Sequence, residues 1–194
     1  MSWTIDPNFG STLTTAPAVS PFSTGGGNQM LSTSGAGAVY RSDFSKLNVE
    51  LTCDLFFGGT LDFNDMANGP CLIARRQIDG SFYFAALNIQ FSSARAITIF
   101  RYNGTLDTFT VLTNGFAYTP TGWTTNELLK FTFRVYGDSL TARVIKVSSG
   151  NLSVEAGVFN STISIAGNPG IGARLNSGSP QMQSFIDNLS IAEI

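Results

Sequence analysis

The sequence predicts an all-β chain: a two-sheet antiparallel sandwich with an irregular N-terminal arm. Three observations carry this. The stretch 128–147, LLKFTFRVYGDSLTARVIKV, alternates apolar and polar residues on both sides of Gly137-Asp138. That period of two is what a strand shows when one face is buried and the other wet. Sixteen phenylalanines and twenty glycines accompany only 12% charged residues, which suits short strands joined by tight turns. No stretch holds helical spacing beyond a single turn, and no fixed-period repeat is present.

Residues 1–40 differ from the rest and are read as a separate segment, with the sandwich domain at 41–194. Trp3, Ile5 and Phe9 suit a first strand or anchor, and the Ser/Thr/Gly/Pro-rich run after them suits a long loop or extended arm. The apolar residues recurring in this linker-like segment make Trp3, Phe9, Leu13, Val19, Phe22 and Leu31 candidates for attachment to a partner subunit.

Strands follow in order. Residues 46–57 alternate Leu47, Val49, Leu51, Cys53 and Leu55 against polar neighbours, and Gly58-Gly59 ends the run. After a loop at 60–70, residues 71–78 read as a strand. Residues 81–90 and 94–102 are apolar on both faces, as in strands that lie centrally or carry a covered second face. Asn103-Gly104 predicts a tight hairpin into 108–113, and 115–127 is expected as a loop carrying Phe116, Tyr118 and Trp123. In the 128–147 hairpin, pairing outward from Gly137-Asp138 sets Val135 against Leu140, Phe133 against Ala142 and Phe131 against Val144. The same register sets Arg134 against Thr141 and Thr132 against Arg143. Strands at 154–159 and 161–165, a glycine-rich stretch and a last strand at 183–194 complete the reading.

The totals narrow the chemistry. There is no histidine, which removes Ser-His and Cys-His nucleophile pairs and histidine metal sites. A net charge of −2 gives no field for nucleic acid or anionic membrane, and no apolar run is long enough for a membrane span. Two cysteines, each amid apolar neighbours, read as buried thiols. The N-terminus lacks the basic and apolar regions of a secretory signal, so the four sequons at Asn103, Asn151, Asn160 and Asn188 are expected to be chance matches.

No catalytic set is visible. Glu50 and Asp54 lie four residues apart on one strand, about 13 Å between Cα atoms, beyond the spacing of a glycosidase pair. No cofactor is expected. Asp62, Asn64, Asp65 and Asn68 cluster oxygen atoms of the kind calcium takes, but EF-hand spacing fails at Met66 and turn formation explains them better. Tyr118 and Trp123 on a loop, with Tyr102 and Asn103 at a turn, form a candidate carbohydrate platform; the competing reading has Trp123 plugging one end of the sandwich.

The motifs FYFAALN (82–88), ITIFRYNGT (97–105), Trp123 ahead of the central hairpin, and GNPGIGARLNSGSPQMQSFIDNLSI (167–191) together resemble the concanavalin A-like lectin/glucanase superfamily in its laminin-G-like branch. The resemblance spans about residues 45–194. It implies a jelly-roll of two antiparallel sheets, one curved, whose concave face and rim loops bind carbohydrate or protein. The glucanases' E-x-D-x-x-E strand and the legume lectins' metal and sugar ligands find no match here. Two readings follow. One is a non-catalytic, externally displayed structural or adhesion protein of a phage or virus particle, of head-decoration or tail-fibre type, with other subunits and cell-surface carbohydrate as partners. The other is a free-standing lectin, extracellular by a non-classical route. A glycoside hydrolase on the same fold ranks third.

Overall fold

The computed structural model describes residues 3–5, 31–33, 37–58, 69–90, 94–118, 127–174 and 183–194. They form β1 (Trp3–Ile5), β2 (Leu31–Thr33), β3 (Gly37–Arg41), β4 (Val49–Gly58), β5 (Gly69–Arg76), β6 (Phe82–Gln90), β7 (Ala94–Asn103), β8 (Thr108–Tyr118), β9 (Leu129–Tyr136), β10 (Ser139–Lys146), β11 (Leu152–Phe159), β12 (Asn168–Arg174) and β13 (Gln183–Glu193). Two antiparallel sheets result, a seven-stranded one in the order β1-β3-β12-β5-β6-β7-β8 and a six-stranded one in the order β11-β10-β9-β4-β13-β2.

The β9–β10 hairpin has the register its alternation requires, with Val135 opposite Leu140, Phe133 opposite Ala142 and Phe131 opposite Val144. Gly137 takes the positive φ, 54°, that the turn demands. On its other side β9 sets Val135, Phe133, Phe131 and Leu129 against Val49, Leu51, Cys53 and Leu55 of β4. All eight are fully buried, and they meet Leu72, Tyr83, Ala85, Leu87, Ile97 and Ile99 of the facing sheet in one core.

The strands that are apolar on both sides have a covered second face. Phe82, Phe84, Phe100 and Tyr102 form a second cluster with Ala38, Cys71 and Ile73. The Phe84 and Phe100 rings stack there at 4.7 Å and 11°. Both cysteines are buried, and neither forms a disulfide.

Four features differ from expectation. First, the sandwich begins before residue 41. β3 lies between β1 and β12, and its Ala38 and Val39 are buried, so a boundary at 41 cuts a sheet strand. Second, β8 continues to Tyr118, because β7 offers a partner at every step as far as Ala94. Third, Asn103-Gly104 is not a two-residue turn. Asn103 pairs with Thr108, and Asp107 takes the positive φ, 49°. Glycine is needed at 104 for another reason: a Cβ there would lie 2.2 Å from the Asp79 carbonyl oxygen. Fourth, 161–165 is no strand, because its backbone groups bond side chains instead of a neighbouring strand. Thr162 N–H donates to Asn160 Oδ1 (3.1 Å), Ile163 N–H to the Tyr83 hydroxyl (2.8 Å), and the Ile163 carbonyl accepts from Arg75 (2.7 Å).

Candidate functional site

One end of the sandwich is knitted shut, and a buried arginine organises it. β12 opposes β5 with a bulge, Asn168 pairing with Arg76 and Gly170 with Ile73. Pro169, which has no N–H to give, falls at the irregularity, as proline in a sheet tends to. Arg75 sits in the bulge at φ 54° and follows the inward-facing Ala74 into the interior, breaking the alternation. Its guanidinium donates to three carbonyls: Leu47 (2.7 Å), Ile163 (2.7 Å) and Gly137 (2.5 Å). Burial lowers its pKa below the ordinary arginine value, while the charges of Tyr83 and Asp138 oppose that shift. Tyr83 donates to Asn160 Oδ1 (2.6 Å). Burial raises its pKa. These bonds join the 41–48, 137–138 and 160–167 connections, so this end is a structural seal.

Tyr102 and Asn103 lie at the sealed end, and both are occupied. Tyr102 is 1% exposed, its ring 5.0 Å from that of Phe82 and 4.9 Å from that of Phe109, and its hydroxyl donates to Asp107 (2.8 Å). Asn103 Oδ1 accepts from the Thr105 and Leu106 N–H groups (3.1 and 3.0 Å). Tyr118 pairs with Ala94 at the far end of the same β7–β8 ladder, while Tyr102 pairs with Phe109. Eight residues along a strand span about 26 Å, so Tyr102 and Tyr118 share no small-ligand site. The four-residue platform is therefore corrected: Tyr102 is core and Asn103 closes a turn. Trp123 lies outside the described residues, as do the calcium candidates Asp62, Asn64, Asp65 and Asn68. Of the attachment residues, Trp3 pairs with Arg41 in β1 and Leu31 with Ile186 in β2, each in a strand at a sheet edge. Phe9, Leu13, Val19 and Phe22 lie outside the described residues.

Among the described residues, Asp54 and Asp187 are the carboxylates that the register brings directly opposite one another, across β4 and β13, a pairing only the fold reveals. Asp187 is 2% exposed and accepts from the Asn188 N–H (2.8 Å), where Asn188 takes φ 50° in a bulge. Asp54 accepts from Asn188 Nδ2 (2.8 Å) and faces Lys130 at 3.7 Å. Both hold the bulge, and Asp187 is closed to any substrate.

Among the described residues, an open feature lies on the outer face of the six-stranded sheet. A shallow cavity of about 190 Å³ is lined by Glu50, Thr132, Arg134, Thr141, Arg143 and Glu155. The register explains its shape. Glu50, Arg134, Thr141 and Gly157 form one row across β4, β9, β10 and β11. Thr52, Thr132, Arg143 and Glu155 form the next. Short side chains, Thr132 and Thr141, make the floor, with the Thr132 hydroxyl 3.2 Å from that of Thr52. Long charged ones make the walls. Each arginine stands directly opposite a glutamate, near enough in Cβ spacing for contact. Among the described residues, however, these four charges close no ion pair with one another. Donors and acceptors are thus left facing the groove. Alternation along β4, β9, β10 and β11 does place these residues on one face; the cross-strand order that joins them lies beyond the sequence.

No family model and no curated protein matches the chain. Solved structures do. The exoplasmic/lumenal domain of VIP36, bound to Ca2+ and Man3GlcNAc, superposes with a TM-score of 0.56 at 11% identity over 99% of this chain and 84% of that one. The legume lectin-like domain from Entamoeba histolytica gives 0.53 at 10% identity over 86% and 80%. The xylan beta-1,4-xylosidase from Bacillus halodurans gives 0.56 at 11% identity over 84% of this chain, which spans 33% of that enzyme. At these identities the likeness shows the fold: this is a concanavalin A-like jelly-roll sandwich.

Proposed function

We propose that this protein is a non-catalytic, externally displayed adhesion protein that contacts surface carbohydrate, serving as a component of a phage or virus particle of the head-decoration or tail-fibre type. The observation that carries the carbohydrate part is the open groove on the six-stranded sheet, whose two guanidinium and two carboxylate groups face outward without pairing to each other. Sugar hydroxyls both donate and accept, and such a mixed array meets both needs.

Two further points support the reading. Glu50 and Glu155 stand three strand spacings and one outward-facing step apart, about 16 Å between Cα atoms, wide of the roughly 5–9.5 Å of glycosidase carboxyl pairs. The same fold is found in the Ca2+/Man-bound exoplasmic/lumenal domain of VIP36, which favours sugar contact, and in the enzymatically active domain of tailspike protein 2 of bacteriophage CBA120, which favours a particle role but not the absence of catalysis; the latter matches at TM-score 0.55 and 7% identity, and this chain spans 24% of it. The xylosidase, of which this chain spans 33%, and the tailspike domain are both enzymes by name, so turnover is measured directly.

The test is the full chain on a printed glycan array, with xylan and β-glucan assayed for release of reducing ends. Glycan binding without turnover is the expected result. Reproducible hydrolysis, lost on changing one carboxylate, overturns the non-catalytic reading. Sedimentation of the purified chain addresses the assembly: a symmetric oligomer supports the particle role, and a glycan-binding monomer supports the free-standing lectin.

A further inference from the structure

We infer that the saccharide site extends beyond the groove onto an exposed aromatic row beside it, and that it takes a neutral oligosaccharide lying across the strands of the six-stranded sheet. This deepens the proposed function and rests on it.

The row follows from the register. Ser139 of β10 pairs with Tyr136 of β9 on one side and with Phe159 of β11 on the other. Directly opposite residues in an antiparallel ladder point to the same face. Their chain neighbours Val135, Leu140 and Val158 face the core, so Tyr136, Ser139 and Phe159 face outward. Phe159 is 82% exposed and Tyr136 55%. Isolated exposed apolar side chains are ordinary, but two aromatic ones flanking a serine next to unpaired polar groups form a pattern. The row lies one outward-facing step, about 7 Å, from the Glu50-Arg134-Thr141-Gly157 row. Arg134 joins the two, its guanidinium 5.7 Å from the centre of the Tyr136 ring.

Aromatic rings stack on the apolar C–H faces of pyranoses, while hydroxyls reach sideways for donors and acceptors. Tyr136 and Phe159 are two strand spacings apart, about 9.5 Å, so a ligand touching both is longer than one ring. Thr141, Arg134 and Arg143 then lie beside that ligand as donors, and Glu50 and Glu155 as acceptors.

Charge balance selects the class. Each arginine faces a glutamate across its row, so the groove carries no net charge. An acidic sugar drawn to Arg134 or Arg143 meets Glu50 or Glu155 as well, and like charges at that range are unfavourable. A neutral sugar uses both signs. Gly157 leaves the β11 side of the row open. A Cβ there would sit 3.4 Å from Thr141 Cγ2, ordinary contact, so a larger residue enters the groove without strain.

The experiment uses the full chain on an array of neutral hexose and N-acetylhexosamine oligosaccharides, their monosaccharides, and sialylated and uronate-containing glycans. Phe159→Ala, Tyr136→Ala and Gly157→Val are compared with the wild type, and Ile78→Ala, fully exposed at the β5–β6 turn, is the control. Thermal melts verify that each variant is folded. The expected result is binding of neutral oligosaccharides over monosaccharides and acidic glycans, weakened about tenfold or more in the three face variants and unchanged in the control. If neutral oligosaccharides bind but Phe159→Ala and Tyr136→Ala bind as well as wild type, the site is elsewhere; this inference falls while carbohydrate binding stands. If acidic glycans bind best, the charge-balance argument is wrong. If the folded wild type binds no glycan, the proposed function fails and takes this inference with it.

Discussion

Arg75 shows how one side chain holds several connections together. Its three carbonyl acceptors come from three separate parts of the chain, and that of Ile163 is buried, so it would be stranded in the interior without the guanidinium. A buried carbonyl left unpaired costs about 1–3 kcal/mol, so Arg75→Leu is expected to lose about that much in denaturant melts through Ile163 alone. Arg75→Lys rescues little, because one ammonium cannot reproduce the planar fork that reaches three acceptors. A full rescue by lysine would show that charge alone matters there. Nothing in the sequence near residue 75 announces this role. Arg75-Arg76 reads as the polar end of a strand, and only the bulge opposite Pro169 turns the first arginine inward.

Cys53 makes a second prediction at this scale. Burial raises its thiol pKa far above the ordinary value, with Asp54 adding to the shift. A raised folded pKa means the folded state keeps a proton that the unfolded state loses. Its contribution is complete below about pH 8.5, the unfolded value, and is lost progressively as pH rises beyond it. Tyr83, also raised by burial, adds a further loss above about pH 10. Between about pH 9 and 10 the fall in stability is expected to be shallower in Cys53→Ala by roughly 1.4 kcal/mol per pH unit. Equal slopes in the two proteins would mean the thiol ionises as readily folded as unfolded.

At the scale of elements, the β9–β10 hairpin was fully legible because alternation, turn glycine and cross-strand matching agree on one register. Phe133 sits at its centre, between Leu51 and Ala142, fully buried. Phe133→Ala is expected to cost about 3–5 kcal/mol, and a loss under about half a kilocalorie would contradict that packing. Where the reading failed, competing bonds explain it. The 161–165 run has a strand's composition, but Tyr83 and Arg75 take its backbone groups. Asn103-Gly104 has a tight turn's composition, but Gly104 is there for close approach to Asp79. Gly167 is constrained likewise, since a Cβ would lie 2.5 Å from the Arg75 carbonyl carbon. Gly167→Ala is expected to destabilise by about 1–3 kcal/mol as β12 is pushed off the bulge.

For the whole molecule, the fold class was readable while the proposed binding face was not. The aromatic residues that drew attention as a carbohydrate platform were picked for lying near turns, and Tyr102 proved to be core. Tyr136 and Phe159 passed unnoticed because 23 residues separate them in the chain, and only the order β9-β10-β11 brings them into one row. The N-terminal segment, read as separate from the sandwich, contributes strands to both sheets. Deleting residues 1–40 takes away β1, β2 and most of β3, uncovering the β12 and β13 edges and the core residue Ile171 opposite Val39. The truncated chain is therefore expected to melt at lower temperature or fail to fold, and a truncation as stable as the full chain would show that these strands are incidental.

The central claim is that carbohydrate is met on the open face of the six-stranded sheet. The most direct measurement is amide chemical-shift mapping of the isotopically labelled full chain during titration with a neutral oligosaccharide that binds on the array. The account predicts shifts concentrated at Tyr136, Ser139, Thr141, Gly157 and Phe159, with the 103–107 turn unmoved. Shifts confined to the 103–107 turn, or to other loops, with that sheet face unchanged would contradict it.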